Sequence, residues 1–156
     1  MLGEVGQAFG YLGHNLPQER LSIAIGALAS ANAAVDLAVE YVLERRAFGK
    51  PVASFQNTKF VLAECATELE AGQMFLDRAL DDHDHGELTP ADAAKVKLFA
   101  TDVQARVTDK CLQLFGGYGY ILVYPIARLY ADARVTRIYG GTSEIMKSII
   151  AKSLGL

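Results

Sequence analysis

Glu19 is the carboxylate whose neighbours offer it the most chemistry, because it stands beside Leu16, Leu21 and Ile23, where folding could strip it of water. Desolvation raises a carboxylate's pKa and makes it a better general base. The plain alternative is a helix-start carboxylate that complements the helix dipole, which would lower the pKa instead. Arg45, followed by Arg46, offers a planar fork of donors suited to a phosphate, or simply a cation at a helix carboxyl end. Gly116-Gly117-Tyr118-Gly119 either lets backbone approach a ligand or makes a turn, and the glycines alone decide nothing. A second break, Tyr139-Gly140-Gly141-Thr142, precedes a segment that Thr142 or Ser143 can cap.

Two other clusters invite attention and carry less. Asp81-Asp82-His83-Asp84-His85 gathers potential metal ligands, but consecutive residues at a fraying helix end point in different directions. The run reads as a solvated terminus before Gly86. Cys65 and Cys111 lie far apart in sequence without CxxC spacing, as small buried hydrophobes in a reducing compartment would. No metal is expected.

The elements that must position these groups are helices. Residues 1–15 hold several glycines and little periodicity, and read as an irregular lead-in to a helical-bundle domain over 16–156. Asn15 as cap and Pro17 in the first turn open a long helix to Arg46, ended by Phe48-Gly49 and Pro51. About 30 residues make a rod of roughly 45 Å. Its apolar stripe is Leu21, Ala24, Ile25, Leu28, Ala31, Val35, Ala38 and Val42. A second helix spans about Phe55 to His83, with Leu62, Cys65, Ala66, Leu69, Leu76 and Leu80 inward. Thr89-Pro90-Ala91-Asp92 opens a third, with Val96, Phe99, Ala100, Val103, Val107, Cys111 and Leu114 as its stripe. Pro125 starts a fourth through about Arg137, and a last helix runs to about Ser153. The expected class is all-α, an up-and-down helical bundle.

Composition bounds the partners. In 156 residues, 51% are hydrophobic and the formal net charge is −3, so a packed globular chain is expected and nucleic acid is not. The longest apolar run, Ala27 to Ala34, is broken by Ser30 and Asn32, so no membrane span is expected. The first residues lack the basic start and apolar core of a signal peptide.

Several separated segments resemble one family. Glu44-Arg45-Arg46-Ala47-Phe48-Gly49-Lys50, Phe55-Gln56, Gln113 through Gly119, Tyr124-Pro125, Arg128 through Ala133, and Ile138 through Ile145 are together similar to the carboxy-terminal domain of acyl-CoA dehydrogenases. The resemblance implies oxidation of an acyl-CoA to a trans-2-enoyl-CoA with FAD, in fatty-acid β-oxidation. A glutamate takes the proton beside the thioester, and the flavin takes hydride from the next carbon. Most of the family carries its base at the position that is Gly140 here, and glycine cannot take a proton. A subset, including the long-chain type, carries it at the position of Glu19, and Leu16 through Leu21 is especially similar to that type. Glu19 is therefore the expected base. Glu144 is the rival, and Glu40, Glu64, Glu68 and Glu70 read as ordinary surface carboxylates.

Other roles follow from the resemblance. Arg45 should meet the FAD pyrophosphate. Gln56, Gln113, Leu114, Phe115, Gly116 and Gly117 should line the adenosine side of an FAD held mainly by another subunit. Thr142, Ser143 and Glu144 should lie against the FAD of their own subunit. Arg20, Gly140 and Gly141 should sit near the CoA arm and thioester. Phe55 stands where relatives commonly have histidine. An electron-transferring flavoprotein is the implied acceptor, and bacterial cytoplasm or mitochondrial matrix the implied setting. The resemblance spans only the carboxy-terminal part of a family chain, so a fragment or one piece of a split enzyme is expected. It would work as a homo-oligomer, dimer or tetramer, or with the missing domains on another chain. Two other readings stand beside this: a non-catalytic assembly module of a multi-subunit dehydrogenase, and an acyl-CoA oxidase-type flavoenzyme.

Overall fold

The computed structural model describes residues 3–156; Met1 and Leu2, part of the expected lead-in, lie outside the described residues. Helix α1 (Ala8–Glu44) is followed by a short antiparallel hairpin of β1 (Arg46–Ala47) and β2 (Lys50–Pro51), with Arg46 opposite Pro51 and Ala47 opposite Lys50. A 3₁₀ turn (Val52–Ser54) leads into α2 (Gln56–Asp84), and α3 (Pro90–Leu114) follows. A second 3₁₀ turn (Gly116–Tyr120), α4 (Pro125–Thr136) and α5 (Ser143–Ser153) complete the chain.

Helix α3 packs against α1, α2, α4 and α5, with α1 its most extensive partner. The reason lies in side-chain size. Ala24, Ala27, Ala31, Ala34 and Ala38 form a fully buried row on α1, and small residues there let the two rods lie close. Leu21 and Leu28 of α1 share one core with Val96, Val103 and Val107 of α3, and Val42 is buried further along α1. Each such side chain contributes roughly 1.5–3 kcal/mol by leaving water. Cys65, Leu69 and Leu76 close the core from α2, and Ile126 from α4.

Cap chemistry explains the helix starts that were legible. Thr89 accepts a hydrogen bond from the Asp92 N–H at 3.1 Å, with Pro90 in the first turn of α3. Thr142 accepts from the Ile145 N–H at 3.4 Å and starts α5.

Several expectations are corrected. Helix α1 begins at Ala8, so residues 8–15 are helical rather than an irregular lead-in, Asn15 is not a cap, and Pro17 lies inside the helix. Arg45 is the residue that ends α1, and Arg46 belongs to the hairpin. Ile25, Ala66 and Phe99 are exposed, while Arg20 and Lys97 are buried. By length and composition α1 could cross a membrane, contrary to the reading of its broken apolar run; in this bundle its row of small residues serves the core instead. The cysteines, distant in sequence, meet across α2 and α3 as free buried thiols. Hydrogen bonding with Cys65, then burial, pushes the Cys111 thiol up.

Candidate active site

The double-glycine turn between α4 and α5 lies against α1 and α3. Gly140 and Gly141 have φ of 64° and 103°, a region that side-chain-bearing residues rarely adopt. A Cβ on Gly140 would fall on Ile23 Cδ1 of α1, and one on Gly141 would stand 2.7 Å from Met146 Cε. Arg20 of α1 donates from Nε to the Gly140 carbonyl oxygen at 3.3 Å. From the other side, Lys97 of α3 donates from Nζ to the Gly141 carbonyl oxygen at 2.5 Å. Two buried cations from two helices thus hold two consecutive carbonyls. Arg20 has its pKa lowered by burial, with the neighbouring Glu19 charge opposing.

Glu19 itself is exposed. Leu21, two positions on, faces the core while Glu19 faces away, as residues two apart on a helix do. Sequence neighbours therefore do not desolvate it. It lies about three turns inside α1, so the helix-start alternative loses its basis. Ile23, one turn further along the same face, is the residue that meets Gly140.

A separate groove of about 580 Å³ gathers Arg45 and Gln113 through Tyr118 with Tyr41, Val52 and Ile121. Aromatic contacts shape it. Tyr41 stacks on Phe115 at 4.1 Å and donates its hydroxyl to the Phe115 carbonyl at 3.3 Å. Tyr118 stacks on Tyr124 at 5.2 Å, and the Arg45 guanidinium lies 5.2 Å over the Tyr118 ring. Arg45 is exposed and makes no ion pair among the described residues. Gln56, exposed at the start of α2, does not line this groove.

Thr142, Ser143 and Glu144 line a different cavity, with Asp102, Arg134, Arg137, Ile138 and Lys147. Hydrogen bonding from its own backbone N–H, then from Thr142, holds the Glu144 carboxyl below its usual value. Asp102 Oδ1 lies 3.0 Å from Arg137 Nε, close enough for an ion pair, but the N–H is not aimed at it and the oxygen accepts no hydrogen bond. Phe55 packs edge-on to Phe48 at 6.2 Å, with Lys50 Nζ 4.4 Å over its ring. Glu64 and Glu68, read as ordinary carboxylates, pair with Lys110 at 3.1 Å, and Glu68 also with Arg106 at 2.8 Å. Among the described residues no group of His, Cys, Asp and Glu could hold a metal ion.

The family model for the acyl-CoA dehydrogenase C-terminal domain matches residues 6–155. The chain belongs to the acyl-CoA dehydrogenase family. It is 44% identical over 154 residues to the long-chain specific acyl-CoA dehydrogenase of Rattus norvegicus mitochondria, covering 99% of this chain and 36% of that protein. A 3-(aryl)acrylate reductase of Clostridium sporogenes is 40% identical, covering 99% of this chain and 41% of that protein. The crystal structure of an acyl-CoA dehydrogenase from Geobacillus kaustophilus superposes with a TM-score of 0.96 at 45% identity, over 99% of this chain and 41% of that one. This acyl-CoA dehydrogenase domain thus spans well under half the length of these relatives.

Two groups escaped the sequence reading. Tyr41 precedes Arg45 by one helical turn, and that spacing could have marked it as the floor of the Arg45 groove. Lys97 interrupts the stripe of Val96, Ala100 and Val103, and a cation in such a stripe could have been noticed.

Proposed function

We propose that this domain is part of an FAD-dependent acyl-CoA dehydrogenase of the long-chain type, with Glu19 removing the proton next to the thioester carbonyl. The observation that carries the reading is the docking of the Glu19 segment on the Gly140 turn through Arg20 and Ile23. It brings the helix turn that bears a carboxylate to the loop that lacks one. Exposure of Glu19 means that its desolvation must come from what closes over it, the acyl chain and cofactor included.

The residues present fit FAD on the Arg45 groove. Added Cβ atoms at Gly116 and Gly117 would meet nothing within 4 Å, so their backbone is open to a close-lying ligand, and an exposed guanidinium stands at the edge. FAD when bound supplies the hydride acceptor for the carbon beyond the one deprotonated. Arg45 would bind the diphosphate, and Gln113 through Gly117 would orient the adenosine side. Thr142, Ser143 and Glu144 line their own cavity, which suits contact with a second FAD in an oligomer. The Gly140-Gly141 backbone would flank the thioester, with Arg20 fixing its orientation from behind.

The exposed apolar residues Ile25, Val39 and Leu43 of α1, and Leu122 and Val123 before α4, suit covering by further segments or subunits. An electron-transferring flavoprotein as acceptor, and a bacterial cytoplasmic or mitochondrial matrix setting, belong to the same proposal. The reductase relative adds a second direction: by microscopic reversibility, Glu19 would deliver the proton when an enoyl thioester is reduced.

The test is anaerobic bleaching of bound flavin by a long-chain acyl-CoA, with this domain joined to the remaining segments of the enzyme, for the parent and for Glu19→Gln. Lost reduction with FAD and ligand still bound supports Glu19 as base; undiminished reduction in the variant rejects it. A parent protein that holds flavin yet never bleaches favours the assembly module. Rapid reoxidation of reduced flavin by oxygen favours the oxidase.

A further inference from the structure

Lys97 is a buried cation that the proposed chemistry does not use. It is 1% exposed, in the stripe of α3 that packs on α1, and its ammonium donates to the Gly141 carbonyl. Burial pushes its pKa down, the Arg20 charge adds to that, and Asp102 opposes. A methionine or leucine would fill the space without the cost of desolvating a charge. What an ammonium adds is a fixed direction for a carbonyl.

Direction matters at this turn because both residues are glycines. With no side chains, the peptides that follow Gly140 and Gly141 lack the steric constraint that selects one orientation elsewhere. All peptides here are trans, so each N–H points opposite to its C=O. Drawing the Gly140 oxygen to Arg20 and the Gly141 oxygen to Lys97 turns the Gly141 and Thr142 N–H groups away from the two cations. The first tether comes from α1, the second from α3, and the turn is fixed to both.

We propose that Lys97 is a positioning residue that holds the Gly141 peptide in one orientation and so keeps the double-glycine turn, the Thr142 cap and the Glu19 segment of α1 in a single arrangement. The proposal rests on the reading that this turn borders the reacting thioester.

The experiment pairs two readouts on the FAD-loaded holoenzyme for Lys97→Met and Lys97→Gln. Amide hydrogen exchange across residues 140–143 should quicken by about tenfold or more in Lys97→Met, with the interiors of α1 and α3 unchanged. Flavin reduction by acyl-CoA should slow by about tenfold or more, while affinity for an unreactive thioether analogue of acyl-CoA changes by less than about threefold. Lys97→Gln, whose amide can still donate to the carbonyl, should recover part of both. Exchange that rises through α3 as much as in the turn, or not at all, overturns the proposal, as does failure of both variants to fold. A loosened turn with undiminished reduction also overturns it. The exchange result does not depend on Glu19, and Glu19→Gln should leave exchange in the turn unaltered, so failure of the base assignment is seen separately.

Discussion

Arg20 and Gly140, 120 residues apart in sequence, are joined by a hydrogen bond from Nε to the carbonyl oxygen at 3.3 Å. The bond fixes the face of α1 that carries Glu19 against the loop that opens α5. Replacing Arg20 with methionine would keep volume and leave the Gly140 oxygen without its charged partner. We expect a loss of about 1–3 kcal/mol in urea unfolding, and no rescue by lysine, whose point charge lacks the guanidinium's shape. Full stability in Arg20→Met would show the bond to be incidental.

Gly140 is constrained twice, by its φ of 64° and by Ile23 above it. Alanine there should cost about 1–2 kcal/mol for the backbone conformation, plus whatever moving Ile23 costs. Ile23→Ala in the same chain should relieve the steric part and leave the backbone part. A double-mutant cycle on thermal unfolding reads the coupling directly; a coupling of zero would mean that Ile23 simply swings aside. For the same reasons a carboxylate side chain at position 140 would require both a shift of Ile23 and a backbone conformation that side-chain-bearing residues rarely adopt.

Helix ends with chemistry of their own were legible in the sequence. Thr89-Pro90-Ala91-Asp92 and Thr142-Ser143-Glu144 each announce a cap, and α3 and α5 begin there. The start of α1 was not, because Pro17 has the geometry of a first turn and nothing local shows that the helix runs through it. Gly13, four residues earlier, is exposed, so the carbonyl that forgoes its helical bond belongs to a residue that water can reach. Motif resemblance located the glycine turns and Arg45. It was silent on Lys97, whose partner lies 44 residues away and is a backbone oxygen that no side-chain pattern reveals.

The cap of α3 should show in the pH dependence of stability. A hydrogen bond from Thr89, then one from Lys95, holds the Asp92 carboxyl below its ordinary value. The folded state thus gives up this proton at lower pH than the unfolded state does. The resulting stabilisation is complete above the unfolded carboxylate range, about pH 5 and higher, and disappears as pH falls through the folded pKa. Thr89→Ala should cost about 1 kcal/mol near pH 7 and progressively less toward about pH 3. Urea midpoints across that range test the sign; a deficit that widens on acidification would contradict the assignment.

Gly119 tests the groove under Arg45 at its most tightly built point. It is buried in the 3₁₀ turn that carries Gly116, Gly117 and Tyr118. An added Cβ would stand 2.7 Å from the Leu112 carbonyl oxygen and 3.1 Å from Leu112 Cγ. The nearest obstacle is backbone of α3, which cannot swing aside as a side-chain tip can. Gly119→Ala should therefore shift the whole turn, costing about 1–3 kcal/mol in stability. Because Tyr118 is next in the chain, the shift should also disturb its stacking on Tyr124 and its contact with Arg45. Gly117→Ala, where an added Cβ meets nothing within 4 Å, is the matched control and should leave stability nearly unchanged. With the proposed FAD contact at this groove, Gly117→Ala should instead weaken flavin binding in the holoenzyme, read by retention of the flavin absorbance on dilution. Equal stability of the two variants would show that the turn is not held against α3 as described.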